Sequence, residues 1–131
     1  VKPAATIEEL YSNCDYVSLH IPANDQTKNS INYELLSKMP KGACLVNTAR
    51  KEVINEADMA KLLAERTDFK YVTDIAAGNN DELAAFAPRY FATPKKMGAQ
   101  TAEANLNAGL AAANQIVDFI KNGVTKFQVN K

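Results

Sequence analysis

The 131-residue chain balances 15 Lys and Arg against 15 Asp and Glu, with 47% hydrophobic residues. Zero net charge excludes a nucleic-acid or anionic-membrane binder that works through bulk charge, and the apolar content is ordinary for one globular domain. No apolar run approaches the roughly 20 residues that cross a bilayer, and Val1-Lys2-Pro3 does not open a secretory leader. Cys14 and Cys44 sit in apolar-flanked segments without Cys-x-x-Cys or Cys/His spacing. They read as buried free thiols in a reducing, cytoplasmic setting, and no metal site is expected.

Thr6-Ile7-Glu8-Glu9 is a capping box, which predicts a short helix from Ile7 to Asn13. The apolar run Tyr16 to Ile21 ends at Pro22 and predicts a strand, followed by a polar loop from Ala23 to Ser30. Asn32 caps a short helix, Tyr33 to Met39, stopped by Pro40-Lys41-Gly42, and Ala43 to Thr48 is a second strand. Asn55 caps a third helix that ends near Arg66. Its residues Met59, Leu62 and Leu63 share a face, and Val53 or Ile54 staples its start. Phe69 to Asp74 is a third strand, Gly78-Asn79-Asn80-Asp81 a turn, and Tyr90 to Thr93 a fourth strand stopped by Pro94. A long helix runs from Thr101 to about Asn122 with Gly123 as its C-cap.

Strands alternating with helices of this length specify an α/β fold with a parallel sheet. The strand ends are polar or special: His20-Ile21-Pro22, Asn47-Thr48-Ala49-Arg50, Asp74 and Thr93-Pro94-Lys95-Lys96. In a parallel sheet these ends share one rim, where open α/β sheets bind ligands. Each cluster has a plainer reading alone: Arg50 as a surface ion pair, Asp74 as a turn cap, Lys95 and Lys96 as a solvated pair. His20, the single histidine, reads as pocket lining rather than chemistry. The five glycines form no Gly-x-Gly-x-x-Gly and no P-loop, so the chain lacks a pyrophosphate cradle.

From Tyr11 to Asn130 the chain resembles the D-2-hydroxyacid dehydrogenase family, closest to the branch that oxidises D-3-phosphoglycerate. Four ordered motifs carry the resemblance. Cys14 to Pro22 is similar to the family's strand approaching the cofactor, with Thr27 to Asn32 as the loop after it. Leu45-Val46-Asn47-Thr48-Ala49-Arg50 matches the signature around its substrate-binding arginine. Asp74 stands where the family places an aspartate on the nicotinamide side of the cofactor. Thr93-Pro94 and Gly98-Ala99-Gln100-Thr101 bracket the position of its catalytic histidine.

The resemblance implies the later half of a Rossmann-like NAD-binding domain over residues 1–100, then a connecting helix and return segment over 101–131, with a final strand at Phe127-Gln128-Val129 that would rejoin a substrate domain outside this sequence. It implies hydride exchange between NAD and a small 2-hydroxy acid, with a homodimer as the assembly. Arg50 would bind the substrate carboxylate and polarise the C2 oxygen. The cofactor would be met by His20, Ile21, Pro22, Thr27, Thr48, Ala49, Arg50, Asp74, Gly98 and Ala99. On this plan the chain begins after the phosphate loop. Alone it should be inactive, bind NAD weakly, and self-associate through an open sheet edge.

Two positions depart from the family pattern. Lys95-Lys96-Met97 replaces the histidine segment with one extra residue, so either Lys95 or Lys96 answers to the histidine, and Asn79 stands near the place of its glutamate partner. An amine cycles near neutral pH only where its ammonium form is disfavoured by burial or by a neighbouring cation such as Arg50. A glutamate partner opposes that, so Asn79 reads as the matched change for a lysine acid/base. The other readings are an inactive relative that senses nucleotide or bridges partners, and a dehydrogenase of another 2-hydroxy acid.

Overall fold

The structure, a computed structural model, describes residues 2–96, 98 and 100–130. The chain divides into two compact units, residues 1–96 and 97–131. In the first, α1 (Ile7–Asn13), β1 (Tyr16–Leu19), α2 (Tyr33–Ser37), β2 (Cys44–Asn47), α3 (Glu56–Glu65), β3 (Lys70–Thr73), α4 (Asn80–Ala84) and β4 (Tyr90–Ala92) follow in order. The four strands form one parallel sheet in the order β1-β2-β3-β4. Register pairs Leu19 with Asn47 and Asn47 with Thr73, so the carboxyl ends of three strands lie level at one rim.

The helix starts form for the reasons visible in the sequence. Thr6, Asn32 and Asn55 each accept a backbone N–H with the side chain, satisfying donors that a helix start leaves without partners. Glu9 closes the first box one residue early, accepting from the Ala5 amide at 2.8 Å rather than from Thr6. Leu36, Leu45, Met59, Leu62, Leu63 and Phe69 are fully buried between the sheet and its helices, each worth about 1.5–3 kcal/mol of apolar burial. Gly42 holds φ at 80° in the turn into β2, a conformation that a side chain would strain.

The expected strands run past the hydrogen-bonded ladders. Ile21, Pro22, Thr48 and Asp74 lie beyond them, where the chain turns at the rim. A 3₁₀ turn at Lys51–Val53 and the helix α4 were not expected. Phe127-Gln128-Val129 is not a strand: Lys126 and Phe127 form a turn, and the Gln128 N–H donates to the Thr125 carbonyl at 3.0 Å. A strand needs a ladder partner, and these residues have none among those described. The second unit contains α5 (Ala102–Asn122), capped by the Thr101 hydroxyl and by Gly123 at φ 65°, with Leu106, Leu110, Val117 and Ile120 exposed. Among the described residues no helix is long and apolar enough to cross a membrane.

Asp68 ties the end of α3 to the turn before β2. Its carboxylate accepts from Arg66 Nη2 at 2.6 Å and from the Gly42 N–H at 2.6 Å. The Arg66 guanidinium first, and the Gly42 amide second, hold this carboxyl well below the usual carboxylate range. A lowered folded value gives stability that is present above the unfolded pKa of about 3.9 and is lost as pH falls toward the folded value. Asp68→Asn should therefore show a shallower loss of stability below about pH 5 than the parent, read by circular dichroism in an acid titration.

Candidate active site at the sheet rim

Asn47 is completely buried at the end of β2, where a polar side chain is costly unless bonded. Its Oδ1 accepts from the Ala49 N–H at 3.0 Å and its Nδ2 donates to the Arg50 carbonyl at 3.0 Å. Nδ2 also reaches the Tyr71 hydroxyl of β3 at 3.4 Å. This side-chain turn folds Thr48 and Ala49 over the strand end and carries Arg50 out to the rim. The exposed guanidinium donates from Nη1 to the Ala49 carbonyl at 3.1 Å, and among the described residues its other N–H groups have no partner. That leaves the planar fork for a bidentate anion.

Lys96 returns to the same place from the segment after β4. Its Nζ donates to the Thr48 carbonyl at 2.9 Å, the Ala49 carbonyl at 3.2 Å, and Asp74 Oδ1 and Oδ2 at 3.1 and 3.0 Å. The structure thus distinguishes the two lysines. Lys95 is exposed, and its side chain makes no hydrogen bond among the described residues, whereas Lys96 is half-buried over the ends of β2 and β3. Arg50 and Lys96 both donate to the single carbonyl oxygen of Ala49. The neighbouring cation expected for the lysine is therefore present, but so is a carboxylate, supplied by Asp74 rather than by the family's glutamate position.

Asn79 does not meet the lysine. Its Nδ2 donates to the Glu56 carbonyl at 3.2 Å and to Glu82 Oε2 at 3.0 Å, while its Oδ1 is buried without a partner among the described residues. Glu56 is a residue that the sequence reading missed. Its carboxylate accepts the Gly78 N–H, and a Cβ on Gly78 would lie 2.6 Å from Glu56 Oε2, so any side chain there would push the end of Glu56 aside. Glu56 and Asn79 together fasten the loop after β3 to the first turn of α3. The partners are 22 and 23 residues apart, a pairing that no local pattern announces.

A cleft of about 530 Å³ opens beside these groups, lined by His20, Ile21, Pro22, Ala23, Thr48, Ala49 and Arg50. The His20 ring is held by the Ser18 hydroxyl at 2.9 Å. Thr27 shapes the cleft without lining it: its hydroxyl donates to the Pro22 carbonyl at 2.6 Å and accepts from the Asn24 N–H, closing the loop after β1. Gly98 is exposed in the second unit, and Ala99 lies outside the described residues. Among the described residues no group of three His, Cys, Asp or Glu is placed to hold a metal.

Residues 1–95 match the family described as D-isomer specific 2-hydroxyacid dehydrogenase, NAD binding domain. The chain belongs to that family. It is 33% identical to D-3-phosphoglycerate dehydrogenase of Haemophilus influenzae over 136 residues, covering 98% of this chain and 33% of the relative. It is 30% identical to the enzyme of that name from Bacillus subtilis, over 88% of this chain and 22% of the relative. A crystal structure of NAD+-bound 3-phosphoglycerate dehydrogenase from Entamoeba histolytica superposes with a TM-score of 0.84 at 49% identity, over 98% of this chain and 42% of that one. The chain therefore spans about a third or less of the length of these curated relatives.

NAD is the cofactor of the domain. The nicotinamide ring carries a carboxamide whose NH₂ needs acceptors. Asp74 and the carbonyls of Thr48 and Ala49 supply acceptors alone, converging on one point that Lys96 Nζ fills in the structure.

Proposed function

We propose that the complete protein carrying this chain oxidises a D-2-hydroxy acid with NAD, and that its substrate is 3-phosphoglycerate, giving 3-phosphohydroxypyruvate, which opens serine synthesis. Residues 1–100 would form the later half of its NAD-binding domain, and residues 101–131 the helix and return segment toward its substrate domain. The observation that carries the reading is the pair of cations sharing the Ala49 carbonyl, Arg50 from the end of β2 and Lys96 from the segment after β4. A 2-hydroxy acid presents a carboxylate beside a hydroxyl, and the two cations stand next to each other in the same way.

Arg50 would clamp the carboxylate through its fork, and the proton on the C2 hydroxyl would pass to the Lys96 amine as the C2 hydride leaves. The bound nicotinamide supplies the hydride acceptor. His20, Ile21 and Pro22 would wall the cleft against water. Phosphoglycerate is favoured over other acids by the names of the relatives and of the Entamoeba structure.

The test is NAD+ reduction by the complete protein with D-3-phosphoglycerate, D-glycerate and D-lactate, followed by absorbance. Turnover with the phosphorylated acid alone supports the full reading, and preference for another acid keeps the chemistry while replacing the substrate. Absence of turnover with all three assigns the protein to the second reading, an NAD-binding module without chemistry. That reading is favoured by the carboxylate on Lys96, which pairs with the ammonium form, whereas only the neutral amine can take the hydroxyl proton.

Asn47 positions Arg50 in this scheme. Asn47→Leu should strand the Ala49 N–H and the Arg50 carbonyl, at about 1–3 kcal/mol for each group left unbonded. The denaturant midpoint should drop with an unchanged slope. The KM for the acid should rise, while Asn47→Asp, which keeps the acceptor to Ala49, should retain more of the activity.

A further inference from the structure

Lys96 sits in a place that suits another group. Four oxygens from three residues surround its Nζ at 2.9 to 3.2 Å, and all of them accept. Two of those residues, Thr48 and Ala49, also wall the cleft that ends at Arg50. If Arg50 holds the carboxylate of the acid, hydride transfer requires the nicotinamide ring beside it, and the ring's carboxamide then falls on the same acceptors. Each oxygen can accept twice, as the Ala49 carbonyl does from Arg50 and Lys96, but the one point within about 2.7 to 3.2 Å of all four holds a single nitrogen.

We infer that Lys96 is an internal competitor of the cofactor: its ammonium fills the nicotinamide-amide position in the ligand-free protein, and NAD must displace it to bind productively. The inference rests on the reading of this rim as the nicotinamide site. It also adds an order to that reading. Displaced from Asp74 and from the Thr48 and Ala49 carbonyls, the ammonium releases a proton to solvent and turns as the neutral amine to the side where the acid binds, so a lysine able to accept the hydroxyl proton reaches the substrate only after the cofactor is in place. The carboxylate that counted against a proton-exchanging lysine becomes its holding position. The cofactor's amide, a neutral donor, then takes over Asp74.

Displacement makes the apparent affinity for NAD weaker by the fraction of protein in which the cradle is open. Removing the charge while keeping the length of the side chain should recover that loss. In the complete protein, without substrate, Lys96→Met should bind NAD+ roughly ten-fold more tightly by calorimetry, the effect expected for a contact closed about nine-tenths of the time. ADP-ribose, which keeps the adenosine and pyrophosphate but has no nicotinamide, should bind the variant and the parent alike, and Lys95→Met should change neither affinity. NAD+ binding that is unchanged or weaker in Lys96→Met overturns the inference, and so does an equal gain for ADP-ribose. Both are equilibrium readings. If the protein proves not to oxidise any 2-hydroxy acid, the tightening still decides whether Lys96 competes. If Lys96 proves essential for turnover without the tightening, the competition fails and the proton-transfer role stands.

Discussion

Lys96→Ala in the complete protein is expected to lower kcat by roughly 10²–10⁴-fold, the range for loss of a positioned general acid/base, while Lys95→Ala leaves it unchanged. The two residues are adjacent and chemically identical, so the contrast isolates position. Lys96 is drawn onto the ends of β2 and β3 by four oxygens, and Lys95 faces solvent. Normal turnover in both variants would eliminate lysine as the acid/base.

Arg50→Ala should cost about 2–5 kcal/mol in transition-state binding, the penalty for removing one partner of a desolvated charge pair, which is roughly 30- to several-thousand-fold in kcat/KM. Most of that loss should fall on KM for the acid, because the guanidinium is assigned to the carboxylate, which is charged throughout the reaction. Arg50→Lys restores the charge without the fork and should recover only part. Affinity for ADP-ribose should not change. A loss confined to cofactor affinity, with KM for the acid intact, would move Arg50 out of the substrate site.

The α/β architecture and the convergence of polar strand ends were legible because both follow from short-range rules. Caps at Thr6, Asn32 and Asn55, breakers at Pro22, Pro40 and Pro94, and the level ends of parallel strands are all written locally. The partners of Asn79 and Lys96 were not. Asn79 answers to Glu56 and Glu82, and Lys96 to Asp74, so the compensation expected between Asn79 and the lysine is absent from their hydrogen bonds. Side chains of this length choose partners from whatever the folded rim offers, and that choice depends on contacts far apart in sequence. Asn47 is the intermediate case. A buried asparagine before Thr-Ala-Arg is a readable turn signal, yet its role in aiming Arg50 emerges only with the bond to the Arg50 carbonyl. The strand that the family resemblance implied at Phe127 to Val129 was to pair with a domain outside this sequence, and among the described residues it has no neighbour to pair with.

The strand order has a kinetic consequence. In β1-β2-β3-β4 each strand lies beside the one made just before it, and none inserts between two that are already paired. A chain leaving the ribosome can therefore zip its sheet in the order of synthesis, with every loop closed over a single helical crossover. Nascent chains lengthened stepwise from Asn47 to Thr73 to Ala92 should gain resistance to protease one strand at a time. The rim that carries Arg50 should be in place before Lys96 is translated.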